Sequence, residues 1–260
     1  MRYSLMLLML LVSVAAAQPP KWVDIHGQVV FPAGLPVPAR KPLAINGNNN
    51  AKACLAKGAL LEETIIVNPK NRGIQNVVVW LRPKGKVAAA KFAVNDINPA
   101  DAKRKPAQVV IDQPCCQFGP HVVACRVGDT IVVKNPADFA HNFFWVSDNN
   151  GNMNVNLPAN GELVFKNPLA RESFPILFKC TVHPWMTGYV RIFDHPYFAV
   201  TDADGRFAIK GAPAGNYQIV YWHENVGFKN GKDGRLGFPI AIAGNAKNAM
   251  ETKPVEFNVK

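Results

Sequence analysis

Proline and glycine interrupt this chain so often that long helices have no room to form. There are 21 prolines and 19 glycines among 260 residues. Between them lie short runs rich in Val, Ile, Phe and Tyr. These are Gln28–Phe31, Thr64–Val67, Asn76–Leu81, Gln108–Ile111, His121–Val127, Thr130–Lys134, Glu162–Lys166, Pro175–Lys179, Gly188–Phe193, Arg206–Ile209 and Tyr217–Trp222. Several alternate apolar with polar residues, the period of a half-buried strand. Turn signals such as Val127-Gly128-Asp129, Asn149-Asn150-Gly151 and Asp202-Ala203-Asp204-Gly205 separate them. Only Ala51–Leu61 has a brief helical pattern, and Gly58 weakens it. The fold class is all-β, built as sandwiches.

The first residues differ in kind. Arg2 is followed by the apolar stretch Leu5–Val14 and by Ala15, Ala16 and Ala17. That is the pattern of an export signal, residues 1–17, cut after Ala17. It implies a periplasmic or secreted protein with no transmembrane anchor. The formal charge is +11, but the basic residues are scattered, and the densest cluster is only Lys103, Arg104 and Lys105. Nucleic acid is therefore not an expected partner; an acidic partner protein surface, an anionic envelope surface or solubility alone accounts better for the charge. Five cysteines in an oxidising compartment suggest disulfides with one cysteine left over.

That odd cysteine leads to the most specific segment, Cys180-Thr181-Val182-His183-Pro184-Trp185-Met186. It presents a thiol, an imidazole and a thioether within seven residues, directly after a strand. Pro184 fixes its own φ and disfavours helix at His183, so the segment reads as a stiff loop. His141, at a comparable strand end, supplies a second imidazole. Taken singly, each residue has an ordinary alternative: a disulfide for Cys180, a surface role for His141, core filling for Met186. Their shared spacing points instead to a soft metal site, and to copper above zinc, because Cys-x-x-Cys pairs are absent and Met is an unusual zinc ligand. His121 reads as a strand histidine rather than a second metal ligand. Trp222-His223-Glu224 sets an imidazole beside a carboxylate but lacks a nucleophile. His26 and His195 have no context for a site, and Trp185 suits either a docking patch or a hydrophobic plug.

With these residues in view, the stretch 107–194 resembles the cupredoxin, or small blue-copper, family. The resemblance is carried by Phe118-Gly119-Pro120, by Val127–Asn135, by His141-Asn142 and by Cys180-x-x-His183-x-x-Met186. The short proline-containing loop looks most like the amicyanin branch, and the whole chain looks like exported methylamine-utilisation-like proteins. The resemblance implies a Greek-key sandwich holding one type 1 copper ion. It makes His141, Cys180 and His183 the equatorial ligands and Met186 the axial one. Asn135 would tie the two ligand-bearing loops together. It also implies single-electron exchange with a redox protein partner. Protein groups would then fill all four positions, leaving no open site for substrate, so no enzyme activity is expected. The Asn-rich stretch from Ser147 to Gly161 departs from the pattern and reads as an enlarged loop.

Flanking residues carry a second resemblance. Asp204-Gly205-Arg206-Phe207 and Pro213-Ala214-Gly215-Asn216-Tyr217 look like the turns of carboxypeptidase-regulatory or transthyretin-like β domains, and Gly27-Gln28-Val29 looks like the opening strand. The expected organisation is a copper domain at 107–194 inserted into, or packed beside, a split β-sandwich at 22–106 and 195–260. If Cys180 binds metal, then Cys54, Cys115, Cys116 and Cys125 can form two disulfides. Joining Cys54 to Cys115 or Cys116 would tether the two domains, and the other adjacent cysteine could pair with Cys125; the sequence does not select the partners, and free thiols are the alternative. A non-redox β-rich binding or structural module, with a copper-storage or vestigial metal site, is the competing function.

Overall fold

The structure is a computed structural model that describes residues 21–85, 90–245 and 247–260. The export signal lies outside the described residues. The described chain is all-β, with seventeen strands and only short helical turns.

One sandwich is built from two sheets. The first orders Val122–Arg126, Thr187–Phe193, Ile176–Lys179, His141–Trp145 and Met153–Leu157. The second orders Gln108–Asp112, Thr130–Lys134 and Glu162–Val164. Strands Val122–Arg126 and Thr187–Phe193 run parallel, as do Gln108–Asp112 and Thr130–Lys134. Alternate residues from both sheets fill the space between them. Phe143 stacks on Phe178 at 5.5 Å, and Trp145 meets Phe165 edge to face at 4.8 Å. Each such fully buried aromatic contributes about 1.5–3 kcal/mol.

The second sandwich draws strands from both sides of the first in sequence. Trp22–Val30 pairs antiparallel with Arg206–Pro213 and parallel with Ala249–Glu251 and Val255–Glu256. The facing sheet holds Phe198–Val200, Val78–Pro83, Gly215–His223, Gly227–Phe228 and Phe238–Ile242. Val23, Ile25 and Val29 share a core with Val79, Leu81, Phe207, Ile209 and Tyr221. The two-residue period explains how this sandwich also meets the first. Val79 and Leu81 face inward, while Val78 and Trp80 face outward and pack with Val220 and Trp222 against Val122 and Phe193. Strand Val78–Pro83 is therefore buried on both faces, which is why its first four residues, Val78 to Leu81, are all apolar.

Four local readings are corrected. Thr64–Val67 forms no strand; Val67 makes only an isolated bridge to Ile74. The stretch 147–161 is not simply a loop, since Met153–Leu157 pairs with His141–Trp145. Residues 43–60 do not pack with the flanking sandwich: Ile45, Cys54 and Leu60 lie in the core of the first. Finally, a single disulfide forms, Cys54–Cys116, while Cys115 and Cys125 are free thiols. Because Cys54 and Cys116 belong to the same core, this bridge pins the 43–60 segment to the first sandwich rather than tethering the two sandwiches. Arg104, from the densest basic cluster, is engaged by buried Asp129 at 2.6 Å.

Candidate metal centre

The loop after strand Ile176–Lys179 is closed by its own backbone. The Cys180 N–H donates to the Met186 carbonyl at 3.0 Å, and the Met186 N–H donates to the His183 carbonyl at 2.9 Å. This tight turn sorts the side chains at intervals of three. Cys180, His183 and Met186 are buried, while Thr181, Val182 and Pro184 are exposed. His141 arrives from the first position of strand His141–Trp145 and is itself fully buried.

Three of the four residues singled out in the sequence converge. One ligand atom from each of His141, Cys180 and His183 lies within 4.8 Å of the other two. The Nδ1 atoms of His141 and His183 are 2.9 Å apart, and Cys180 Sγ is 3.7 Å from His183 Nδ1. Met186, 1% exposed, belongs to the same buried cluster as Cys180. Burial holds the His141 imidazole well below its ordinary range, at about 4, with neighbouring His183 adding to the effect. Burial also lowers His183. Both rings are thus neutral at neutral pH, the state in which an imidazole nitrogen can donate to a metal. His141 Nε2 is buried without a hydrogen-bond partner.

Aromatic rings and amides enclose the group. Phe139 lies 5.1 Å from the His141 ring and 5.9 Å from the His183 ring, and Trp185 lies 5.2 Å from His183. Trp185 donates through Nε1 to the Cys116 carbonyl at 3.1 Å, so it is tied to the disulfide-bearing turn. The 43–60 segment covers the outer side. Asn50 Oδ1 is 3.4 Å from His183 Nε2, and Asn48 donates to the Val182 carbonyl at 3.2 Å.

The tie between the two ligand-bearing loops is made by a different asparagine from the one expected. Asn135 donates to the carbonyls of Phe139, Leu157 and Pro158 and accepts from the Ala137 N–H. It orders the approach to His141 without reaching the Cys180 loop. Asn142 makes that connection: its backbone N–H donates to Cys180 Sγ at 3.3 Å, and its Oδ1 accepts from the Thr181 N–H at 3.3 Å. Its position beside His141 was the only signal. Nothing in the sequence marked Asn50 or Phe139.

The remaining histidines lie elsewhere. His121 bridges the sandwiches: it makes a short hydrogen bond to Glu224 through Nε2, and its Nδ1 is 3.7 Å from Glu63. Among the described residues it joins no group of three metal-ligating side chains. His223 is buried with its pKa lowered by burial to about 4, and His195 to about 3. His26 sits half-buried in strand Trp22–Val30.

No protein-family model matches the chain, and no curated protein does. Among solved structures it is similar to a reduced amicyanin mutant, at 21% identity over 36% of this chain and 89% of that one, with a TM-score of 0.30. An oxidised amicyanin mutant gives 18% identity over 44% and 98%, with a TM-score of 0.28. A purple cupredoxin from Nitrosopumilus maritimus gives 20% identity over 34% and 99%, with a TM-score of 0.27. These likenesses span less than half of the chain and carry no argument about its chemistry.

Proposed function

We propose that the chain is an exported type 1 copper protein that exchanges single electrons with a redox protein partner. The observation that carries this reading is the meeting of a thiol and two neutral imidazoles from two loops in one buried space. The donor set fits copper: one soft sulfur and two nitrogens, with a second soft sulfur in the same cluster. His141, Cys180 and His183 would hold the ion, with Met186 as the weak fourth ligand. Bound there, copper supplies a one-electron couple.

The chain's own groups then set the conditions. The Asn142 N–H, directed at Cys180 Sγ, stabilises negative charge on that sulfur. The closed 180–186 turn and the Asn142–Thr181 bond hold the donors in place, which limits rearrangement when charge changes. Phe139, Trp185 and the 43–60 segment exclude water. The flanking strands read as a split transthyretin-like domain around the copper domain, and the positive charge suits an acidic partner surface.

A spectroelectrochemical titration of the copper-loaded chain tests this function. A reversible one-electron transition, unchanged over repeated cycles, is the expected result. Stoichiometric copper that cannot be cycled would instead support storage.

A further inference from the structure

Cys54 and Cys116 form a second soft-donor group beside His183. One ligand atom from each of these three residues lies within 4.8 Å of the other two, just as in the His141, Cys180 and His183 group. The groups share only the imidazole. His183 turns Nδ1 toward His141 and Cys180, while Nε2 faces Asn50, the residue that begins the short helix Ala51–Cys54. Both sulfurs are buried, with Cys54 1% and Cys116 0% exposed.

Two further observations set this bridge apart from an inert staple. Cys115, beside Cys116, is a free and partly exposed thiol that lines a surface cavity with Lys57, Pro114 and Phe139. It gives a thiol reagent or a copper donor a point of contact next to the buried pair. In addition, Cys115 and Cys116 both have left-handed backbone angles, φ 53° and 60°. Two successive non-glycine residues in that region persist only where the surroundings enforce them, a pattern that clusters at functional sites.

We propose that Cys54 and Cys116 are a reductively opened site for a second copper(I) ion, adjacent to His183. An external dithiol delivers two electrons and two protons, leaving Cys54 and Cys116 as thiols and itself as a disulfide. Copper(I) then displaces the two thiol protons and is held by the two sulfurs, with His183 beside them. The 5.4 Å separation of the Cys54 and Cys116 Cα atoms lets both sulfurs face one small ion without moving the backbone. Only the neighbourhood of the first ion rests on the function proposed above; the dithiol site stands on its own sulfurs.

The test is an anaerobic copper(I) titration of the full chain against bicinchoninate. It is run with the disulfide intact, and again after dithiothreitol treatment and removal of the reagent. The expected count rises from one ion per chain to two on reduction, and reduced Cys54→Ser returns to one. The count with the disulfide intact tests the first site, and the increment on reduction tests the second, so the two can fail separately. Reduced protein that binds no additional ion would overturn the proposal. So would an additional ion that survives in reduced Cys54→Ser, because that variant also lacks the bridge and keeps Cys115, Cys116 and Cys125.

Discussion

The backbone N–H of Asn142 points at the sulfur of Cys180 from 3.3 Å, and the side chain of the same asparagine accepts from the next residue, Thr181. One residue thus fixes the distance between the strand that carries His141 and the loop that carries the other donors. Asn142 Nδ2 also donates to Asn154 and Asn156, each at 2.9 Å, which anchors it to the neighbouring strand. Asn142→Ala keeps the backbone donor and loses the side-chain ties. It should cost about 1–2 kcal/mol in urea unfolding and broaden the visible spectrum of the copper form. An unchanged midpoint and spectrum would remove Asn142 from this role.

The Cys54–Cys116 bridge closes a sequence separation of 62 residues. Reducing it enlarges the unfolded ensemble, so the metal-free protein should lose about 2–4 kcal/mol. Urea unfolding of Cys54→Ala, compared with the oxidised wild type, measures this loss. A difference below half a kcal/mol would mean that the 43–60 segment is held by its apolar contacts alone.

His121 sits between the sandwiches with Glu224 and Glu63. Burial opposes its charge, but the hydrogen bond to Glu224 and the attraction of both carboxylates outweigh it, so its pKa is raised above the ordinary 6.5. The stabilisation from this cluster is therefore complete below about pH 6.5 and fades as pH rises through the folded-state value. The stability advantage of wild type over His121→Gln should be largest in mild acid and shrink toward pH 9. An advantage that grows with pH would contradict this sign.

His141, His195 and His223 work in the opposite direction, since burial lowers their values to about 4, 3 and 4. Between about pH 6.5 and pH 4 the unfolded chain takes up protons that the folded chain refuses. Metal-free protein should accordingly lose stability as pH falls through that window, by up to about 1.4 kcal/mol per pH unit for each group. Urea midpoints measured across the window give the slope.

Gly188 lies two residues beyond Met186, where a Cβ would stand 2.5 Å from the Phe178 ring and 2.6 Å from the His121 carbonyl. Because one of these neighbours is backbone, Gly188→Ala must displace strand Thr187–Phe193. It should destabilise by about 1–3 kcal/mol and disturb the Met186 end of the centre. A thermal melt of the metal-free variant checks the first effect.

How much of this was readable in the sequence depended on how far apart the cooperating residues lie. Cys180, His183 and Met186 announced themselves because one stiff turn carries all three. Strand Met153–Leu157 was obscured by its asparagines, which have low strand propensity, although Met153, Val155 and Leu157 do alternate. Strand Phe238–Ile242 was hidden by Pro239, which suits an edge strand because it needs no donor there. The covering segment was out of reach for a different reason. Its placement depends on Cys54 choosing Cys116 over Cys115 or Cys125, and sequence spacing cannot select among them. Asn50 acquires its contact with His183 only through that long-range choice, and Phe139 acquires its own only when the His141 and Cys180 segments converge.

The most direct test of the metal centre is the visible spectrum of the oxidised, disulfide-intact chain titrated with copper(II), with Cys180→Ser measured in parallel. The account predicts an intense thiolate-to-copper band that saturates at one ion per chain and is absent from Cys180→Ser. His141→Ala should weaken binding, and Met186→Ala should keep the band while shifting its energy. Copper bound without a band that depends on Cys180, or no stoichiometric copper at all, would contradict it.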